Sequence, residues 1–199
     1  IAVLSGQGTE LSFTHEGIVH IEQLVKDGKG GVLVSAHLGN WETAGHLLKR
    51  VEAKINIVMY DGEGEQMKAY MDQFDSIRED QSHIYEMSAA LNRNELICLH
   101  ADRFRPGNRT MKHDFLGEEA LFPAGPFILA SKLKAPVCFV FAFKETNFHY
   151  HFYAFKSKTY EGRGTTGMEL MLDDYVVLLE KMLKKYPEQW FNYFDFWKK

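Results

Sequence analysis

Cysteine is scarce in this sequence: Cys98 and Cys138 are the two among 199 residues, and neither belongs to a CxxC or lies near a histidine pair. This excludes a disulfide-rich scaffold and gives no sign of zinc, so we expect two buried free thiols. The sequence also lacks an apolar run of the ~20 residues that a membrane span requires. It has no basic leader followed by an apolar stretch. We therefore expect the chain itself to be soluble. Because it begins at Ile1 rather than Met, we expect a fragment or a processed protein, which leaves an upstream membrane-associated segment or a partner domain open.

Charge of one sign is not in excess either. The 23 Lys and Arg against 27 Asp and Glu give a net charge of −4, and no basic block is longer than a pair. A broad nucleic-acid surface is therefore not expected. What the sequence does have is 45% hydrophobic residues, with 15 Phe, 9 Tyr and 3 Trp. This composition is typical of a globular protein and excludes disorder.

Apolar runs of two kinds alternate along the chain. Short runs that predict strands cover residues 31–36, 55–60, 96–101, 136–143 and 148–155. Apolar residues at helical spacing predict helices at 16–26, 41–51, 65–78, 87–91, 125–134 and 168–185. The last two strands are four residues apart, which indicates an antiparallel hairpin. The pattern predicts one α/β domain over residues 1–199, with a mixed, mainly parallel central sheet flanked by helices.

Two motifs have simpler explanations than a binding site. Residues 162–167 match GxGxxG, but no strand follows their helix, so we interpret them as a loop rather than a dinucleotide site. His149 and His151 alternate on one strand and face the same side, yet no third metal ligand is evident. Ordinary packing is the better interpretation for both, and we expect no metal.

His37 is placed for chemistry, because ligands of open α/β sheets bind beyond the carboxyl ends of strands. In one continuous helix, His37 and Glu42 would lie about 140° apart and could not pair. If His37 instead lies in a turn, Gly39 permits the bend, Asn40 caps the next helix, and Glu42 reaches back to the imidazole. A carboxylate at Nδ1 would leave Nε2 as a general base. The alternative is that His37 caps a strand end and Glu42 complements a helix dipole.

Several blocks in order resemble the bacterial lipid A biosynthesis acyltransferases, the late lauroyl and myristoyl transferases. Residues 32–45 (VLVSAHLGNWETAG) resemble the H-x4-(D/E) block of that family, and residues 97–103 (ICLHADR) resemble its strand ending in Ala-Asp. The segments FLG at 115–117, FPAG at 122–125, the step at 130–140 and PEQW at 187–190 also agree. The resemblance runs from about residue 16 to 197 and implies a glycerolipid acyltransferase-like fold.

The resemblance implies an enzyme in which His37 is the general base and Glu42 is its partner. It would transfer a fatty acyl chain from acyl carrier protein or CoA to a lipid hydroxyl, without a cofactor, at the cytoplasmic face of the bacterial inner membrane. A thioester hydrolase, or a lipid- or carrier-binding domain without catalysis, is an alternative. Arg103 stands where members acting on lipid A often have Gln, and residues 192–196 carry no cation. Acceptors such as aminolipids, glycerolipids or a specialised lipid therefore stay open.

Further residues are candidates for substrate binding. Arg103, Arg105, Arg109 and Lys112 place four cations in ten residues beyond a strand, where they suit a phosphopantetheine phosphate, an acidic carrier or a lipid head group. A solvated basic loop is the alternative. Asp102 would orient Arg103 or bind a hydroxyl, unless it forms a structural salt bridge. Gly125 opens a helix whose N–H groups suit an anion, and Asn40 completes the candidate set. The aromatic residues 190–197 favour core packing over an acyl pocket or a membrane-facing edge.

Overall fold

A computed structural model describes residues 11–40, 51–59, 75–78, 83–162, 164–190 and 193–197. Numbered in chain order, the strands are β1 (Ser12–Glu16), β2 (Gly31–Ser35), β3 (Ile55–Met59), β4 (Asp75–Arg78), β5 (Leu96–His100), β6 (Thr110–Phe115), β7 (Glu118–Pro123), β8 (Val137–Lys144) and β9 (His149–Ala154). The helices are α1 (Val19–Lys26), α2 (His83–Asn92), α3 (Gly125–Leu133) and α4 (Thr166–Lys185), followed by a 3-10 turn at Pro187–Gln189.

Seven of these strands form one mixed sheet in the order β1-β9-β8-β2-β5-β3-β4. Strands β8, β2, β5, β3 and β4 run parallel to one another. Strand β9 runs antiparallel to β8 and pairs in parallel with β1 at the edge. The predicted fold class is therefore confirmed, including the antiparallel hairpin of β8 and β9. Among the described residues no helix is long and apolar enough to span a membrane.

Helices cover both faces of the sheet. Apolar residues of α2, α3 and α4 pack with Val32 and Val34 on one face. On the opposite face Ile21 and Leu24 of α1 pack with Leu33. Strand β2 is thus buried on both sides, which explains why its sequence is a continuous apolar run rather than an alternating one.

Two sequence predictions are wrong at the sheet edges. Residue 16 ends strand β1 rather than beginning a helix, and residues 75–78 form strand β4 rather than the end of a helix. Strand β1 is exposed on four of its five residues and so has no apolar face for the sequence to reveal. The predicted helix 41–51 lies almost entirely outside the described residues.

The β6–β7 hairpin is a further element that the sequence did not predict. It forms a separate two-stranded sheet in a segment interpreted as a loop. Its tip is a two-residue turn, in which Leu116 and Gly117 have φ of 56° and 88°. Two consecutive residues with positive φ are typical of the hairpin turn that matches strand twist. A leucine at the first position conceals this turn in the sequence.

Candidate active site

Strand register brings His37 and Asp102 together. Strands β2 and β5 are parallel neighbours in which Ser35 pairs with His100. The pairing continues one step further, since the N–H of Ala101 donates to the carbonyl of Ser35 at 3.0 Å. His37 and Asp102 each lie two residues beyond this last pair. The two side chains therefore leave the same carboxyl edge of the sheet side by side.

Asp102 contacts His37 through both carboxylate oxygens. Its Oδ1 lies 2.8 Å from His37 Nδ1, and its Oδ2 accepts the backbone N–H of His37 at 2.8 Å. The Asp102 side chain is fully buried, whereas that of His37 is 17% exposed. Burial raises the pKa of the Asp102 carboxyl, but the hydrogen bonds and charge of His37 outweigh burial, so this pKa lies below its ordinary value. An ionised Asp102 can only accept, so His37 Nδ1 carries the proton and Nε2 is left as the base.

A second histidine lies against the first. The rings of His37 and His100 have centroids 4.3 Å apart and planes inclined at 45°. The pKa of His100 is lowered to about 3, mainly by burial and to a smaller extent by the charge of the neighbouring His37. His100 is therefore neutral near neutral pH. The imidazole of His37 therefore has the Asp102 carboxylate at its Nδ1 and the uncharged His100 ring beside it.

The turn after His37 needs glycine at position 39. Gly39 has φ of +77°, and an added Cβ would lie 2.1 Å from the carbonyl oxygen of Ala142. This close approach exists because the next N–H, that of Asn40, donates to Ala142 at 2.7 Å. Leu38 is fully buried. The turn predicted from the sequence is thus present over residues 37–40.

Glu42 lies outside the described residues, so its predicted contact with His37 stays a prediction. Asn40 is half-buried, and its backbone joins the turn to β8. Within the part of the chain that the structure describes, the carboxylate at His37 Nδ1 is that of Asp102. Asp102 comes directly after a predicted strand, and this position was the sign in the sequence that it could lie near His37.

The basic loop follows Asp102 on the surface. Arg105 and Arg109 are exposed, and Arg103 is half-buried. Contacts with other elements hold the loop: the N–H of Ala124 donates to the carbonyl of Arg109 at 2.9 Å, and Phe104 lies edge-on against Phe194 at 4.8 Å. Lys112 instead lies on β6, where its Nζ binds Glu119 at 2.6 Å. Its charge is therefore partly neutralised by the hairpin.

Gly125 begins α3, as predicted, and is exposed. An added Cβ there would meet no atom of the described chain within 4 Å, so the glycine is not required by packing. Its proposed anion contact is not tested by the structure. Across the described ranges, no group of three His, Cys, Asp or Glu side chains is arranged to hold a metal ion.

The aromatic tail mostly packs into the core. Phe196 is fully buried between Phe115 and Phe122, and Trp197 stacks on Phe115. Tyr193, in contrast, is 97% exposed. Phe191 lies outside the described residues. Core packing is therefore the main function of this segment.

His149 and His151 do face the same side of β9. Thr14 Oγ1 lies 3.0 Å from His149 Nε2 and 2.8 Å from His151 Nδ1. In the GxGxxG segment, Thr166 and Gly167 already lie in α4, which begins at Thr166. The loop interpretation is therefore wrong for Thr166 and Gly167, which belong to the helix.

The fold is thus a mainly parallel sheet covered by helices on both faces, with a histidine and a buried carboxylate in contact at its carboxyl edge. The family model for bacterial lipid A biosynthesis acyltransferases matches residues 6–199. The chain belongs to this family and is an acyltransferase acting on lipid.

Among solved structures, the fold is similar to that of the 1-acyl-sn-glycerophosphate acyltransferase PlsC from Thermotoga maritima, with a TM-score of 0.54 and 11% identity. The alignment covers 87% of this chain and 73% of that one. A comparison with curated protein sequences gives no significant match.

Proposed function

We propose that this acyltransferase moves a fatty acyl chain from an acyl thioester to a lipid hydroxyl, as in the late acylation of lipid A. The donor is acyl carrier protein or CoA. The observation that supports this proposal is the contact between His37 and Asp102, because it leaves Nε2 of a partly exposed imidazole free to take a proton. A base of this kind suits direct attack by a hydroxyl and needs no protein nucleophile.

In the proposed step, Nε2 of His37 takes the proton of the acceptor hydroxyl as the oxygen attacks the thioester carbonyl. The carbon–sulfur bond then breaks, and the leaving thiolate takes the proton back from the imidazolium. The Asp102 carboxylate stabilises the imidazolium while it exists and fixes the ring orientation. No net charge is gained, and His37 returns to its starting form.

Glu42 keeps its predicted role as a carboxylate partner of His37 through the H-x4-E spacing. Asp102 shares that role through its contact at Nδ1. Two carboxylates near one imidazole would favour its protonated form more than one does. Substitutions at the two positions are therefore expected to have separate effects.

The basic loop would bind the donor. Arg105 and Arg109 are exposed and lie in the loop after Asp102, which suits the phosphate of phosphopantetheine or the acidic surface of a carrier protein. Arg103, Asn40 and Gly125 would complete the substrate site. We place this reaction at the cytoplasmic face of the bacterial inner membrane, where a lipid acceptor and a soluble donor meet.

The test compares the full-length protein with His37→Ala, and with His15→Ala as a control at an exposed histidine on β1. Acyl carrier protein or CoA carrying a labelled acyl chain is supplied with lipid A precursor, aminolipid or glycerolipid vesicles, and products are identified by mass spectrometry. We expect acylated lipid from the wild type and the control, and a loss of about 100-fold or more in His37→Ala. Equal transfer by His37→Ala would refute the proposal. Free fatty acid without lipid product would identify a thioester hydrolase instead.

A further inference from the structure

The turn that follows His37 rests on the segment that follows α4. The backbone N–H of Gly39 donates to the carbonyl of Gln189 at 2.8 Å. The adjoining residues, Leu38 and Trp190, form an antiparallel bridge. The position of the turn therefore depends on where Gln189 is held.

Gln189 is fixed by its own side chain. Its Oε1 accepts the backbone N–H of Lys144 at 2.9 Å, and its Nε2 donates to the carbonyl of Lys144 at 2.8 Å. The side-chain amide thus pairs with the end of β8 as another peptide group would. Its backbone N–H donates to Tyr186 at 3.1 Å. Only an amide of this length offers a donor and an acceptor in this arrangement, because a carboxylate cannot donate and an aliphatic group can do neither.

Strand β8 also holds the turn directly, since Ala142 accepts the N–H of Asn40. Among the described residues, backbone N–H groups of the turn donate at three places: His37 to Asp102, Gly39 to Gln189, and Asn40 to Ala142. Two of these three supports lead to β8, and one of them passes through the Gln189 amide. Loss of that amide would release the middle support.

We propose that Gln189 is a positioning residue for His37. It acts through Gly39 and sets the turn so that His37 Nδ1 meets Asp102 and Nε2 faces the substrate. This rests on the proposed function of His37 as the general base. Because a misplacement of about 1 Å can cost 10²-fold in rate, the function of Gln189 should be visible in kcat although the residue does not contact substrate.

The test uses Gln189→Leu and Gln189→Glu, with Glu188→Gln as the control at the exposed neighbouring position. In both Gln189 variants we expect kcat to fall about 10- to 100-fold, while the donor KM stays within about twofold, since the basic loop is unchanged. The control should match the wild type. Should Gln189→Leu not fold, Gln189→Glu keeps the side-chain length and one oxygen acceptor and carries the test.

A second measurement is independent of turnover. Proton NMR in water detects the low-field Nδ1 proton of His37, which is assigned by its disappearance in His37→Ala. We expect this signal to broaden or vanish in Gln189→Leu and to persist in Glu188→Gln. A lower Tm with unchanged kcat and an unchanged signal would show that Gln189 is merely structural and overturn the inference. If the wild type transfers no acyl group, the proposed function fails while the NMR signal still decides the positioning.

Discussion

The imidazole of His100 lies against that of His37, with 4.3 Å between ring centroids, at the carboxyl ends of two parallel strands. Only one of these rings has the Asp102 carboxylate at its Nδ1. The difference separates the two histidines chemically. His37 is the proposed general base, whereas burial keeps His100 neutral.

Replacing His100 should flatten the dependence of stability on pH. Burial lowers the pKa of His100 to about 3 in the folded protein, whereas in the unfolded chain it is near 6.5. The unfolded state therefore binds more protons between these values. The stabilising contribution is complete above about pH 6.5 and decreases as pH falls toward 3, by up to about 1.4 kcal/mol per pH unit.

Urea unfolding of His100→Gln and wild type at pH 6.5, 5.5 and 4.5 measures this contribution. His15→Gln is the control at an exposed histidine. We expect a smaller slope in His100→Gln alone. The charged or titratable groups that act on His100 are His37, Asp102 and Arg103, and all are retained in both variants. The same slope in all three proteins would contradict the assignment of this effect to His100.

Asp102→Asn should reduce acyl transfer by about 100-fold or more without unfolding the protein. The amide keeps an oxygen for the backbone N–H of His37 but no longer enforces the tautomer with the proton on Nδ1. Steady-state kinetics and a thermal melt measure the two effects. Transfer at the wild-type rate would show that the contact is structural. Glu42→Gln, measured in parallel, tests the second predicted carboxylate.

Gly39→Ala should be much more damaging than a matched change elsewhere. Its Cβ would lie 2.1 Å from Ala142, and its backbone has φ of +77°. The control is Gly117→Ala at the hairpin tip, where φ is +88° and an added Cβ meets no described atom within 4 Å. The control should lose only about 1 kcal/mol of stability, which is the cost of the backbone strain that alanine introduces. The free energy of unfolding from urea titration should therefore be lower for Gly39→Ala than for Gly117→Ala. Equal losses would show that the turn can move away from β8.

Reversing the charge at Arg105 and Arg109 should raise the donor KM with little change in kcat. Both side chains are exposed and lie in the loop after Asp102. Reversing their charge should therefore weaken donor binding rather than slow the chemical step. Lys29→Glu is the control at another exposed cation. The expected increase in KM should shrink at high salt, because exposed charges are screened. An unchanged KM would identify the loop as solvated only.

Native Cys98 and Cys138 should resist thiol reagents at pH 8. Both are free thiols, and burial raises the pKa of each to about 12. The thiolate is the reactive form. A chromogenic disulfide should therefore react slowly with the folded protein and quickly with both thiols after denaturation. Rapid reaction of the native protein would contradict this protection of Cys138, which is buried, and of Cys98, which is half-buried.

The sequence predicts the centre of this fold better than its edges. Strand β2 is buried on both faces, and its run of apolar residues predicts this burial. Strand β1 is an exposed edge strand whose residues carry no such pattern, and its pairing with β9 joins distant parts of the chain. Local periodicity cannot reveal a partner of that kind.

The candidate site shows the same division. Its histidine, the turn and the importance of Gly39 follow from local spacing. The contact with Asp102 follows from the order and register of β2 and β5 in the sheet. Local sequence patterns do not specify which strands are neighbours or in which register they pair. Local spacing gives still less sign of Gln189, because its contacts depend on how the 3-10 turn after α4 meets β8.

The aromatic segment at residues 193–197 has a consequence for biosynthesis. The N–H of Leu121 donates to the carbonyl of Phe196, and Trp197 Nε1 donates to that of Phe115, so this segment closes over the hairpin. Gly39 likewise depends on Gln189. Residues up to Gln189 must therefore be synthesised before the turn after His37 can be held, and residues up to Trp197 before the hairpin is covered. A nascent chain that pauses earlier would expose Phe115 and Phe122 and would not yet be active.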